Sequence, residues 1–362
     1  MANMRSFWKD KRVLITGHTG FKGSWLALWL QKLGAEVLGY SKEPSTNPNL
    51  FTQAEVGNGM TTVYGDICDL SLLTKTMAEF DPEIVFHMAA QSLVRKSYQE
   101  PVETFSTNVM GTVNLFEAAR SASNLHVIIN ITSDKCYENQ EWQWGYREID
   151  PMGGYDPYSA SKGCAELVTA AYRRSFFPVE SYNQHRVAVA SVRAGNVIGG
   201  GDWAEDRLIP DLVRAIRSNQ PLSIRNPNSI RPWQHVLEPL YGYLLLAEKM
   251  WERGAEFSDA WNIGPSDNDA IPVEAILHLF QRAWGENLNV QIDEGNHPHE
   301  ANYLKLDCSK ARMQLGWKST LSIQQCIEWV AEWTRTYMQE GNIREFTLRQ
   351  ISSFEEIIEE NK

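Results

Sequence analysis

Tyr158 and Lys162 stand four residues apart in YSASK, so on a helix they share one face, a turn apart. An ammonium beside a phenol favours the phenolate and lowers its pKa. Such a phenolate can take the proton of a sugar hydroxyl while hydride leaves the same carbon for a nicotinamide. Ser133 lies 25 residues upstream, at the end of the run VIINITS. Its hydroxyl there can hydrogen-bond the ketone oxygen as it develops. Asp134 and Lys135 follow directly. A carboxyl beside that serine offers a general acid for a second step, which a simple oxidation or epimerisation does not need.

A second group of residues suits a dinucleotide. VLITGHTGFKGSW puts Gly17, Gly20 and Gly23 after a strand-like run and at the start of a helix-like one, the context a dinucleotide loop requires. Gly17 permits the tight turn, Gly20 lets backbone approach a pyrophosphate at the helix N-terminus, and Gly23 allows close helix–strand packing. HMAAQ (His87–Gln91) closes a further run with the small Ala89 and Ala90, where bulk would block a diphosphate. The second run, EVLGYSKEP, has no carboxylate at Tyr40 or Ser41 to read an adenosine ribose. Lys42 comes next and leaves a 2′-phosphate in play, but no arginine stands there, which favours NAD over NADP.

These residues need a scaffold that brings them to one edge. Strands are expected at Arg12–Thr16, Glu36–Tyr40, Thr61–Tyr64, Ile84–Met88, His126–Thr132 and Val187–Arg193. The runs are largely apolar instead of alternating, as suits strands buried on both faces of a parallel sheet. Helices are expected at Phe21–Leu33, Leu70–Phe80, Val102–Ser121 and Tyr158–Phe176. The alternation predicts an α/β fold, a doubly wound parallel sheet with right-handed crossovers, joined to a smaller α+β substrate lobe. The first unit is expected over 1–194, completed by a helix at 236–253 and a strand at 260–264; the lobe takes 195–362. Ser322 and Gln325 have capping-box spacing before a helix with Ile323, Cys326, Ile327, Val330 and Tyr337 on one face. The acidic, amphipathic tail Phe354–Lys362 reads as a docked helix or a frayed end.

Composition narrows the class. The 362 residues carry 34 Lys and Arg against 45 Asp and Glu, a net charge of −11, with 43% hydrophobic residues. That excludes disorder and argues against a surface that coats nucleic acid. No apolar run approaches the roughly 20 residues of a membrane helix. No apolar signal core precedes the first strand, so the expected setting is cytoplasmic. The five cysteines form no CxxC pair and read as free thiols. His297 and His299 flank Pro298 before Glu300, a poor zinc arrangement, so no metal is expected.

The GxxGxxG spacing with Ser133, Tyr158 and Lys162 resembles the extended short-chain dehydrogenase/reductase superfamily. Thr132-Ser133-Asp134-Lys135 resembles its nucleotide-sugar 4,6-dehydratase family, where the stretch typically reads T-D-E. Asp134 matches that aspartate, the acid for the departing 6-hydroxyl. Lys135 replaces the glutamate that removes the proton on carbon 5, so it is either that base or a group that orients Asp134 or stabilises the enolate. SDK with RPWQHV resembles the branch acting on CDP-D-glucose, a supplier of deoxysugars for lipopolysaccharide O-antigen. The resemblance implies an NAD site at Gly17, Thr19, Gly20, Phe21, Lys22, Gly23, Asp66, Ile67, Ala89, Ala90, Gln91, Thr132, Tyr158 and Lys162. It implies a nucleotide-sugar site at Asn196, Arg207, Leu208, Ser223, Arg231 and His299. Asn108 matches a position that holds a structural water or a backbone bend. Helices with the apolar Val109, Val113, Leu115, Phe116, Leu167 and Ala171 commonly pair there, implying a homodimer or a dimer of dimers.

Four other readings compete. A nucleotide-sugar 4-epimerase or a dTDP-glucose 4,6-dehydratase shares nearly every residue above. A dinucleotide-sensing regulator usually lacks the tyrosine or the lysine. A plain carbonyl reductase has no use for the 168 residues from Gly195 onward.

Overall fold

In the computed structural model, residues 2–266, 269–293, 295 and 303–361 are described. Six short apolar runs become the strands β1 (Arg12–Thr16), β2 (Glu36–Ser41), β3 (Thr61–Tyr64), β4 (Ile84–His87), β5 (Val127–Ile131) and β6 (Ala188–Arg193). A later strand, β7 (Ala260–Asn262), pairs with β6. All seven are parallel, in the order β7-β6-β5-β4-β1-β2-β3. The order reverses between β1 and β4, the crevice where α/β sheets bind ligands.

The sheet is covered on both faces, so alternate residues of one strand enter different cores. Val13 and Ile15 of β1 face one core with Phe86, Ile129 and Ala190. Leu14 faces the other with Val85, Ile128 and Val189. Burying each Val, Leu, Ile or Phe side chain among them contributes about 1.5–3 kcal/mol, which explains why runs without polar alternation form these strands. Helices α1 (Phe21–Leu33) and α2 (Leu70–Phe80) match their expected bounds. The C-terminal helices Ile323–Met338 and Ile343–Glu360 close the chain. The first carries the expected capping box between Ser322 and Gln325. The tail is docked: Glu355 accepts from Trp29 Nε1 at 2.8 Å and pairs with Lys32.

One helix departs from expectation. Val102–Ser121 is not continuous: Pro101–Phe105 leads into a wide π turn at Ser106–Met110 and then Gly111–Ala119. Asn108 sits in that turn, and its amide bonds both backbone groups of Gln91, at 2.9 Å each, and the Ser161 hydroxyl at 2.8 Å. The widened turn delivers a polar side chain inward, where a regular helix would carry it past.

Candidate functional site

A groove of about 850 Å³ runs over the C-terminal edge of the sheet. The glycine loop forms its first wall. Gly17 has φ +77°, and a Cβ there would lie 2.7 Å from Ala89 N; one at Gly23 would lie 2.2 Å from Gly17 O. Both glycines are therefore fixed by packing. Gly20 differs: a Cβ there would meet nothing but Gly17 O, at 3.4 Å, and would project into open groove. The loop thus leaves a cradle at a helix N-terminus, with polar backbone and no side chain in it, which fits a dinucleotide pyrophosphate. Ala89 and Ala90 line the facing wall, where Thr16 Oγ1 holds the turn by accepting from Met88 N at 3.1 Å and Ala89 N at 3.2 Å.

At the ribose end Thr19 Oγ1 lies 2.8 Å from Ser41 Oγ and donates to Lys42 O at 3.0 Å. Lys42 Nζ is held 2.8 Å from Asp66 and 3.5 Å from Glu103. Two carboxylates thus surround the one lysine that left a 2′-phosphate in play, and their sign favours the cofactor without that phosphate. Asp66 also accepts from Cys68 N at 2.9 Å, so it shapes its turn as well as facing the groove. Ile67 packs beneath, against Gly111.

The catalytic candidates gather past the ends of β5 and the helix α3 (Pro157–Ser175). Asp156 caps that helix, accepting from Ser159 N at 2.9 Å. Ser133 Oγ donates to Asp134 Oδ1 at 3.0 Å and accepts from Lys135 N at 3.2 Å. Asp134 is buried, and its Oδ2 has no hydrogen-bond partner. A Cβ on Gly195 would strike that oxygen at 1.8 Å, so the glycine makes room for the carboxyl. Burial raises the Asp134 pKa, while Lys135, Ser133 and Arg231 pull against it. Tyr158 is pushed up to about 12 by burial, against a pull from Ser133. This reverses the lowering expected from the lysine one turn away, because Lys162 Nζ points to Ile131 O at 3.4 Å. Burial lowers Lys162 to about 8, with Glu166 holding it up.

Lys22 lies on the same wall. It donates to Tyr243 Oη at 2.9 Å and is lowered to about 7 by burial and then by Lys162 and Arg207. Arg207 reaches Asp202 and Ser92, each at 3.0 Å. Arg231 Nη1 donates to Ile230 O at 3.0 Å. Asn196 takes a left-handed conformation, φ +43°, and faces the groove beside Leu208 and Ser223. Every site residue expected from the sequence lines this one groove, except His299, which lies outside the described residues, as do His297 and Glu300. Among the described residues no cluster of three or more His, Cys, Asp or Glu is arranged to hold a metal, and no helix is long and apolar enough to cross a membrane.

Sequence reasoning missed the support beneath. Glu166, one turn past Lys162, accepts from Arg193 Nη2 and from Ser191 Oγ, each at 2.7 Å, and from Thr132 Oγ1. Arg193 also donates to Tyr137 Oη at 2.6 Å. Both charged side chains are only 4% exposed. Burial works to raise Glu166, and Arg193 overrules it, so its pKa is lowered. The signal was present as a third residue on the Tyr158–Lys162 face. Arg95, Asp206 and Arg225 also line the groove unforeseen.

The chain is 55% identical over 350 residues to CDP-glucose 4,6-dehydratase of Salmonella typhimurium, covering 97% of this chain and 98% of that protein. It is 33% identical to CDP-paratose 2-epimerase of Salmonella typhi, covering 89% and 99%. Among solved structures it resembles MoeE5 in complex with UDP-glucuronic acid and NAD, with a TM-score of 0.76 and 24% identity over 90% of this chain and 99% of that one. It also resembles dTDP-glucose 4,6-dehydratase from Bacillus anthracis in complex with NAD, with a TM-score of 0.75 and 19% identity over 91% and 98%. At those identities the structures speak for the fold, the expected doubly wound sheet. The model of the GDP-mannose 4,6-dehydratase family matches residues 14–330, and with the near full-length relative it establishes that this chain belongs to that family.

Proposed function

We propose that the groove converts CDP-D-glucose to CDP-4-keto-6-deoxy-D-glucose with NAD as a resident cofactor. The observation that carries this is Asp134, a buried carboxyl with an unpartnered oxygen beside Ser133 and Tyr158, since only a dehydration needs an acid there. The name of the Salmonella relative supports the nucleotide.

The chain's residues divide the work. Gly17, Thr19, Gly20, Phe21, Lys22, Gly23, Asp66, Ile67, Ala89, Ala90, Gln91 and Thr132 hold NAD, with Tyr158 and Lys162 at its inner end. NAD bound there supplies the hydride acceptor for carbon 4 and the donor for carbon 6. Ser133 donates a hydrogen bond to the 4-oxygen. Tyr158 accepts the proton of the 4-hydroxyl as phenolate, a charge that burial opposes and Ser133 favours and toward which the Lys162 ammonium adds positive potential from one turn away. The 4-ketone acidifies the proton on carbon 5. Asp134, whose pKa burial raises, donates to the 6-hydroxyl, which leaves as water. Lys135 is the base at carbon 5, or it orients Asp134 or stabilises the enolate. Asn196, Arg207, Leu208, Ser223 and Arg231 receive the nucleotide diphosphate, for which the arginine fork suits paired oxygens. Residues 1–194, with 236–253 and 260–264, form the dinucleotide unit, and the remainder of 195–362 encloses the nucleotide sugar.

Val102, Phe105 and Met110 are exposed at 78%, 38% and 52%, and Leu167 on the neighbouring α3 at 61%. Exposed apolar side chains on two adjacent helices suit a partner, so we assign a homodimer through them, with a dimer of dimers as the larger assembly. Sedimentation as a monomer at micromolar concentration would overturn that assignment. The setting is cytoplasmic, and the product class is a deoxysugar donor such as O-antigen synthesis consumes. The reaction is tested by incubating the protein with CDP-, dTDP-, UDP- and GDP-hexoses. Mass loss of one water from the CDP sugar is expected; an unchanged mass with an inverted centre means epimerisation and refutes the reading.

A further inference from the structure

The groove has two ends. The glycine loop occupies one, the Ser133–Tyr158 cluster the middle, and the other opens past Arg231 toward Ser223 and Arg225. There it adjoins a cavity of about 350 Å³ between helix Leu208–Ser218 and strand Leu222–Ile224. Arg95, Asp206, Asp211, Leu222, Ser223 and Arg225 line both spaces. With the reacting sugar at Tyr158 and its diphosphate at the arginines, the nucleobase has this cavity to enter.

Pyrimidines differ there at one position. Cytosine offers an amino donor at carbon 4, where uracil and thymine offer a carbonyl acceptor. A site that prefers cytosine needs an acceptor without a competing proton, and a carboxylate is the strongest such acceptor. Two aspartates face both spaces, and their bonding separates them. Asp206 Oδ1 is engaged by Arg95 at 3.1 Å and lies 3.8 Å from Arg225. Asp211 is bonded through Oδ1 to Arg214, which is itself anchored on the carbonyls of Trp203 at 3.0 Å and Ala204 at 3.1 Å. That clamp fixes the carboxylate before any ligand arrives and leaves Oδ2 outside the arginine's bond. Asp211 also sits within a helix, a more rigid mount than the turn that carries Asp206.

We propose that Asp211, held by Arg214 at the cavity mouth, is the specificity-determining residue that reads the 4-amino group of a cytosine nucleotide and rejects the 4-carbonyl of uracil and thymine. This rests on the nucleotide-sugar reading above. A uracil placed there sets its oxygen against the carboxylate, while the cytosine amino group forms a charge-assisted hydrogen bond. Loss of that bond and of the repulsion both move the preference in one direction.

The test is calorimetric titration with CDP and UDP, which needs no turnover and no sugar. The wild type is expected to bind CDP the more tightly. In Asp211→Asn, whose amide offers a donor as well as an acceptor, the CDP-to-UDP ratio of affinities is expected to fall at least tenfold. Asp206→Asn is expected to leave the ratio within twofold. A thermal melt reports whether Asp211→Asn is folded; if it is not, Asp211→Glu, which keeps the charge but displaces it, is expected to lose the ratio in part. A wild type with no preference for CDP overturns the CDP assignment itself. A wild-type preference that survives in Asp211→Asn, or one that collapses in Asp206→Asn alone, overturns the role of Asp211 and leaves the CDP assignment standing.

Discussion

Glu166→Gln is the sharpest probe of how the site is held. The substitution keeps the shape but removes the charge opposite Arg193, and both side chains are 4% exposed. Breaking a buried pair by removing one partner costs about 3–5 kcal/mol, because the survivor keeps its desolvation without its compensation. The glutamine oxygen still accepts from Thr132 or Ser191, so the lower end, about 3 kcal/mol, applies. A chain of this length loses about 2 °C in Tm per kcal/mol, which places the drop near 6 °C. The sign with pH follows from the lowered pKa of Glu166. Its stabilisation is fully present above the ordinary value of 4.5 and fades as pH falls through the lower folded value. The Tm gap between parent and variant therefore closes in acid. Glu166 also holds up the pKa of Lys162, so the variant loses its ammonium at lower pH and the basic limb of its pH–rate profile moves toward acid. Calorimetric melts from pH 3 to 8 and a pH–rate series check both. A Tm loss below about 2 °C at neutral pH, or an unmoved basic limb, would refute the reasoning.

Other outcomes follow from the same geometry. Gly23→Ala puts a methyl 2.2 Å from Gly17 O and is expected to lower both Tm and NAD affinity. Gly20→Ala meets open groove and is expected to keep the parent Tm while losing at least tenfold in NAD affinity, read by fluorescence titration. Asp134→Asn is expected to reduce water loss from CDP-D-glucose by about a hundredfold or more; mass spectrometry of the product decides. Parent activity is expected to decline as pH rises through about 8, where Lys162 gives up its proton, and Lys162→Met should abolish that limb along with most of the activity.

The sheet was legible because burial on both faces writes itself into sequence as largely apolar runs without alternation, and VLIT and VIINI did so. The glycine loop was legible because each glycine answers a different steric demand, although only the structure separates Gly20, which faces open groove, from Gly17 and Gly23, which face backbone. The break in the helix after Pro101 was not legible. Nothing in STNVM announces a π turn; what produces it is the pairing of Asn108 with the backbone of Gln91, a contact across 17 residues. Glu166 was hidden for a related reason. Its place on the face of Tyr158 and Lys162 follows from spacing, but burial depends on Arg193, 27 residues away on strand β6. Tyr158 shows the limit of pair arithmetic: spacing gave it an ammonium neighbour, but Lys162 Nζ turns to Ile131 O and burial raises the phenol instead.

The acidic balance of the chain gains a local meaning in the groove. Nine Lys and Arg and eight Asp and Glu line it, against 34 and 45 in the whole chain, so the excess of acid is kept elsewhere. Asp134 is poised within that balance. Burial pushes its pKa up, while Lys135 and Arg231 hold it down. In the reaction proposed above, Arg231 receives the substrate diphosphate, and an arginine facing phosphate oxygens exerts less pull on a nearby carboxyl. Substrate arrival therefore moves Asp134 toward its protonated form. The diphosphate, remote from the bonds that break, thus helps to arm the acid that expels water, which is how binding away from the reacting carbon is spent on chemistry at it.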